Sequence, residues 1–201
     1  MQTVDNYYEW ESDSYYCYPH SNVLKNKYGI HDEEELKDIE RQITSVRAAQ
    51  ILKDPIKGNF DSIHLKEIHK QLFQDLYNWA GEYRKVNISK GNPFCLFEYI
   101  PEQLNNLFNE LKNEGYLSLL NKENIAKRLA YYLGELNAIH PFREGNGRTQ
   151  RIFITELALK NGYILDLSKV SKHDMLYASI QSFDLNYGPM IKIINESLRK
   201  K

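Results

Sequence analysis

Apolar residues recur at spacings of three and four along most of the chain, and that period predicts a series of helices. Leu36, Ile39, Ile43 and Val46 form such a stripe behind Asp32 and Glu35, which are spaced as a capping box; this helix is expected to end near Lys53, before Pro55. Asp61 opens a second helix carrying Leu65, Ile68, Leu72 and Leu76, and Trp79-Ala80-Gly81 breaks its period. Pro101 suits the first position of a third, with Leu104, Leu107, Phe108 and Leu111 on one face and Gly115 as its stop. The broadest apolar face belongs to Ile125, Leu129, Tyr132, Leu133, Leu136 and Ile139, between Asn121 and Pro141, so that helix is expected at the centre of the core. Another begins around Asn146 to Gly147, buries Ile152, Phe153 and Leu157, and ends at Asn161-Gly162. Ser171 with Asp174 opens the next, and Gly188-Pro189 the last, with Ile191, Ile194 and Leu198 on its apolar side.

One stretch departs from the helical period. Over residues 84–99, Val86 and Ile88 alternate with polar residues, Lys90-Gly91-Asn92-Pro93 supplies a turn, and Phe94 to Phe97 is apolar again. This predicts a β-hairpin, the only one expected. Residues 1–30 show no sustained period and carry Tyr7, Tyr8, Tyr15, Tyr16 and Tyr18 with Pro19 and Gly29, so they read as an irregular arm laid over a single domain of residues 31–201. The expectation is an all-α fold of roughly seven helices with one β-hairpin.

Composition narrows the function classes. The chain of 201 residues balances 26 Lys and Arg against 27 Asp and Glu, a formal charge of −1, which gives no field for non-specific nucleic-acid binding. Its longest unbroken apolar run, Leu129 to Leu133, is far short of the ~20 residues that span a membrane. The first residues include Asp5, Glu9 and Glu11 and show no basic start followed by an apolar stretch, so a cytoplasmic protein without a secretory signal is expected. Cys17 and Cys95 are too few for a disulfide framework and fit plain thiols in a reducing compartment. The six histidines show no His-x-x-x-His spacing, and His64 and His69 are five apart, which disfavours a zinc site.

The candidate chemistry lies between the two best-defined helices, in His140-Pro141-Phe142-Arg143-Glu144-Gly145-Asn146-Gly147-Arg148-Thr149-Gln150-Arg151. Gly145 and Gly147 allow close backbone approach where a helix begins, so unpaired N–H groups and the positive end of the helix dipole favour an anion, phosphate above all. Arg148 and Arg151 share the first turn and can reach an extended polyphosphate side by side. Glu144, at the loop mouth, suits Mg²⁺ held jointly with phosphate oxygens and water. His140 offers an imidazole of ordinary pKa near ~6.5, able to take a proton from a hydroxyl. Each feature alone has a plain structural reading: a tight turn, a solvated arginine pair, a satisfied histidine at a helix end. Their joint occurrence in one loop favours the functional reading.

The same run resembles the signature of the Fic family, His-Pro-Phe-x-(Asp/Glu)-Gly-Asn-Gly-Arg-x-x-Arg, and meets every fixed position of it. Tyr18-Pro19, Leu24 to Gly29, Ile68-His69 to Trp79-Ala80-Gly81 and the hairpin before Pro101 are similar to the matching parts of Fic proteins, bacterial effectors and toxins among them. The resemblance therefore covers about residues 18 to 198 and implies a helical Fic core that transfers AMP from ATP to a Ser, Thr or Tyr hydroxyl of a protein, releasing pyrophosphate. It implies His140 as general base, Glu144 as Mg²⁺ ligand, Gly145, Asn146 and Gly147 as the phosphate-binding turn, and Arg148 and Arg151 as ligands of the outer phosphates. The hairpin becomes a flap that pairs with the target segment, roughly Ile88 to Phe94, with Lys90 and Gly91 as candidate contacts.

The resemblance also frames control. Many Fic proteins are restrained by a Ser/Thr-x-x-x-Glu-Gly/Asn motif whose glutamate pairs with the second motif arginine, here Arg151. No glutamate in this chain has Ser or Thr four residues before it; the nearest approximations are Glu35 and Glu196. Inhibition in cis is thus expected to be absent or degenerate, leaving a separate small antitoxin-like partner or unrestrained activity. Self-modification of the 15 tyrosines and a homodimer remain options. Two other readings stand beside this one. A Doc-like phosphotransferase would carry a lysine in place of the second loop glycine, which Gly147 argues against. A non-catalytic partner-binding module would have no use for His140, Glu144, Asn146 and both arginines.

Overall fold

The computed structural model describes residues 13–118 and 120–201. Seven α-helices follow one another: α1 Glu33–Lys53, α2 Ser62–Phe73, α3 Ile100–Asn113, α4 Lys122–Ile139, α5 Asn146–Lys160, α6 Lys172–Phe183 and α7 Gly188–Ser197. Their starts follow from local side chains. Asp32, Asp61, Asn121 and Ser171 each accept a hydrogen bond from the N–H three residues on, and Pro101 sits in the first turn of α3.

Helix α4 runs through the core, burying Ile125, Leu129, Leu133 and Leu136 among others; α3, α5, α6 and α7 pack around it. Helix α2 lies between α1 and α5 and buries Leu65, Ile68, Leu72 and Phe73. Leu76 is buried as expected, but past the end of α2. The stripe predicted for α1 is only partly used: Leu36 is buried, Ile39 and Ile43 pack against the core, and Val46 is 59% exposed.

The flap is smaller than the sequence suggests. Strands β1 Ser89–Lys90 and β2 Asn92–Pro93 pair antiparallel, Ser89 opposite Pro93, around Gly91 at φ 76°. A second antiparallel pair, not a hairpin, adds to the one hairpin expected. Strand β3 Tyr163–Leu165 joins β4 Leu198–Lys200, so Leu198 belongs to a strand and not to α7. The two strands lie more than thirty residues apart, and no local turn announces the pairing.

Residues 13–30 are anchored: Tyr16, Cys17, Val23, Leu24 and Ile30 are buried, while Tyr15 is exposed. Tyr7 and Tyr8 lie outside the described residues. No helix among the described residues is long and apolar enough to cross a membrane.

Candidate active site

Helix α4 ends at His140 because Pro141 follows it, and a residue before proline is disfavoured in the right-handed helical region. His140 instead takes left-handed angles, φ 48° and ψ 61°, while its N–H still bonds the carbonyl of Leu136 at 3.0 Å. Its ring lines the cleft. Nδ1 lies 3.1 Å from the carbonyl of Asn137, which can only accept, so Nδ1 carries the proton and Nε2 keeps a free lone pair. Burial, with Arg84 and Lys90 nearby, pushes the imidazole pKa down to about 3 against the pull of the Asn137 carbonyl, so the ring is neutral at physiological pH. Phe94 of the flap stacks on it at 3.8 Å between centroids and 16° between planes.

The loop beyond His140 is fastened from within. Asn146 donates to the Phe142 carbonyl at 2.7 Å and accepts from the Phe142 N–H at 2.9 Å, so its side chain closes the loop and is not left for a ligand. Gly145, the N-cap of α5, has φ 78° and rests on Phe73, whose ring a Cβ would meet at 2.1 Å. Glycine is required there on both counts. Thr149 Oγ1 donates to the Gly145 carbonyl at 3.0 Å, and Gln150 ties α5 to the Leu136 carbonyl at 2.9 Å. The first N–H groups of α5 then face a cleft of about 950 Å³, where Asn146, Gly147, Arg148 and Arg151 meet His140, Glu144, Lys90 and Phe94. Gly91 is not among the residues lining it.

Glu144 is held by its backbone. His69, fully buried and stacked on Phe142 at 3.9 Å, accepts from the Gly81 N–H at 2.8 Å through Nδ1, so its Nε2–H donates to the Glu144 carbonyl at 3.0 Å. The Glu144 carboxylate accepts from the Gly145 N–H at 2.7 Å through Oε1. Its Oε2 has no partner among the described residues and remains for a ligand.

The two motif arginines share the cleft but differ in partners. Arg148 is clamped by Glu40 of α1 at 2.6 Å, by Thr44 at 3.0 Å and by Glu144 at 3.3 Å, and it lies over the Phe73 ring. Tyr77 donates to the other oxygen of Glu40 at 2.5 Å. Burial pushes the Glu40 pKa up despite the opposing pull of Arg148. Arg151 has no hydrogen bond or ion pair among the described residues, and burial and Arg148 push its pKa down. The third arginine of the loop, Arg143, is buried at the edge of the same cleft and bonds Asp13 at 2.7 Å.

Sequence reasoning missed Glu40, Thr44, Tyr77, His69 and Arg84, all from outside the loop. No spacing links Glu40 to Arg148, 108 residues away. Glu35 and Glu196 are exposed, on α1 and α7, and neither lines the cleft.

Fold and site together define a class: an all-α domain with a helix N-terminus opening on a cleft, a neutral histidine beside it and a short β flap. The Fic/DOC family model matches residues 59–158. The chain is 43% identical over 176 residues to a probable protein adenylyltransferase, y4lH, of Sinorhizobium fredii, covering 87% of this chain and 90% of that one. It is 40% identical over 192 residues to the protein adenylyltransferase VbhT of Bartonella schoenbuchensis, covering 95% of this chain but only 40% of VbhT. Among solved structures, the BepC effector of Bartonella tribocorum with bound AMPPNP superposes with a TM-score of 0.89 at 28% identity, covering 94% of this chain and 98% of that one. The chain belongs to the Fic/DOC family.

Proposed function

We propose that this protein transfers AMP from ATP to a hydroxyl of a protein target, with His140 as the general base. The observation that carries this is the His140 ring itself: Asn137 holds its proton on Nδ1 and leaves the Nε2 lone pair free to accept one, in the same cleft as the α5 N-terminus and Arg151. The activity in the names of y4lH and VbhT agrees with it.

In this mechanism the Ser, Thr or Tyr oxygen bonds to the α-phosphorus in line while the bond to the β-phosphate oxygen breaks. His140 Nε2 takes the hydroxyl proton and pyrophosphate leaves. The α5 amides around Gly145, Asn146 and Gly147, with Arg148 and Arg151, stabilise the charge that builds on the phosphate oxygens. Glu144 would hold Mg²⁺: it presents a hard oxygen donor, Oε2, to the cleft, and one carboxylate with phosphate oxygens and water is an ordinary Mg²⁺ set. When bound, the ion supplies charge neutralisation on the phosphates. Lys90, on the flap, is placed to meet phosphate or target. Gly91 serves the turn of the flap.

The same reading takes the protein to be bacterial and cytoplasmic, with a separate antitoxin-like inhibitor, since no glutamate among the described residues pairs with Arg151. Self-modification and a homodimer are further parts of the proposal. The test is incubation with Mg²⁺ and ATP labelled on either the α or the γ phosphate, with and without lysate. Label is expected in protein from the α position only, and His140→Ala should lower its rate by about 10² to 10⁴. Transfer from the γ position would favour the phosphotransferase reading, and full activity of the variant would remove His140 from its role.

A further inference from the structure

Arg84 is 1% exposed and heads the fully buried side chains by size, yet it lies outside the signature loop. Its donors reach carbonyl oxygens on three segments. Nε donates to His140 at 2.8 Å, Nη1 to Val86 at 2.8 Å, and Nη2 to Ile139 at 3.3 Å and to Cys95. Its own N–H bonds the Pro141 carbonyl at 2.9 Å, and the Cys95 N–H bonds Ala138 at 3.2 Å. Val86 and Cys95 are the two legs of the flap, entering and leaving it on either side of β1 and β2.

From this we infer that Arg84 is a positioning residue that joins the flap to the catalytic histidine, fixing where an acceptor hydroxyl held by the flap meets His140 Nε2. The inference rests on the reading given above. Three physical points support it. His140 sits in left-handed backbone that a non-glycine residue keeps only when its surroundings hold it, and Arg84 grips its carbonyl. The C-terminus of α4 leaves carbonyls without intrahelical partners at the negative end of the dipole, where a cation is favoured. A guanidinium presents five donors in a rigid plane and can set the spacing of three chain segments at once, whereas an ammonium is a point donor on a flexible stem. Phe94, one residue before Cys95, stacks on the His140 ring, so flap, ring and guanidinium form one connected unit.

The expected signature separates chemistry from nucleotide binding. Misplacement of reacting groups by about 1 Å can cost 10²-fold in rate without touching ground-state affinity. The test uses the full chain as wild type, Arg84→Lys and Arg84→Gln, with His140→Ala as reference. Affinity for AMPPNP with Mg²⁺ is measured by calorimetry, the rate of α-label transfer into lysate protein by gel, and the His140 tautomer from imidazole ¹⁵N shifts. Arg84→Gln is expected to bind AMPPNP within about threefold of wild type, to lose about 30- to 100-fold in transfer, and to mix the Nδ1–H and Nε2–H tautomers. Arg84→Lys keeps charge without the fork and is expected to restore only part of the rate, staying about tenfold low.

The inference is overturned by transfer within threefold of wild type in Arg84→Lys, whether or not Arg84→Gln folds. It is equally overturned by parallel losses of affinity and rate. If wild type itself transfers no label, the functional reading fails separately, and the His140 tautomer in wild type and Arg84→Lys still decides the role of Arg84.

Discussion

The two motif arginines are equivalent in the sequence and unequal in the fold. Arg148 is half of a part-buried pair with Glu40, and removing it strands a carboxylate that Tyr77 alone would partner. Breaking a fully buried pair from one side costs about 3–5 kcal/mol, and a partly exposed one less, so Arg148→Ala should lower the urea midpoint by a smaller but measurable amount. Arg151 has no such partner among the described residues and is already disfavoured as a cation by its surroundings. Arg151→Ala should therefore leave stability unchanged or slightly raised while weakening ATP binding. Paired unfolding and calorimetric titrations of the two variants check this, and equal stability losses would refute the difference. The signature places both arginines at the loop; that one is held by α1 is visible only in three dimensions, because Glu40 sits in an ordinary run of helix charges.

At the scale of the element, the flap has only two residues per strand, too little to be stable by pairing alone. What holds it is its attachment: Phe94 on His140, the Phe97 N–H on Asn87 at 2.9 Å, and the legs on Arg84. Phe94→Ala should thus loosen the flap and free the imidazole face, reducing transfer by roughly tenfold or more while the helical circular dichroism stays as in wild type. Unchanged transfer in this variant would make the stack incidental. The hairpin was legible because Lys90-Gly91-Asn92-Pro93 is strong turn chemistry between apolar residues. Its shortness was not, since alternation across 84–99 reads the same whether the legs pair with each other or with the end of α4.

Over the whole molecule, two histidines enter the fold neutral. Burial pushes both His69 and His140 down to about 3, against about 6.5 in the unfolded chain. The unfolded state therefore binds more protons between these values, so stability is complete above about pH 6.5 and falls as pH drops toward 3. The slope approaches about 1.4 kcal/mol per pH unit for the fully buried His69, and His140, partly exposed at the cleft, adds a smaller share. Urea unfolding at pH 7 and pH 5 should show this loss. His69→Gln should flatten it, because an amide can accept from Gly81 and donate to Glu144 without titrating; an unchanged slope would assign the pH dependence to other groups.

The sequence by itself determined the seven helices, most of their starts, the central place of α4 and the loop that lines the cleft. Those features depend on short-range periodicity, capping and turn chemistry, which neighbouring residues specify. Only the tertiary structure decided the β3–β4 pairing, the clamp of Glu40 on Arg148, the support of Glu144 by His69 and the grip of Arg84 on His140 and the flap. Each joins residues far apart in the chain through polar contacts, and such contacts leave no period along the sequence. Where they are buried, as at His69 and Arg84, they exist because burial forces distant donors and acceptors to find one another.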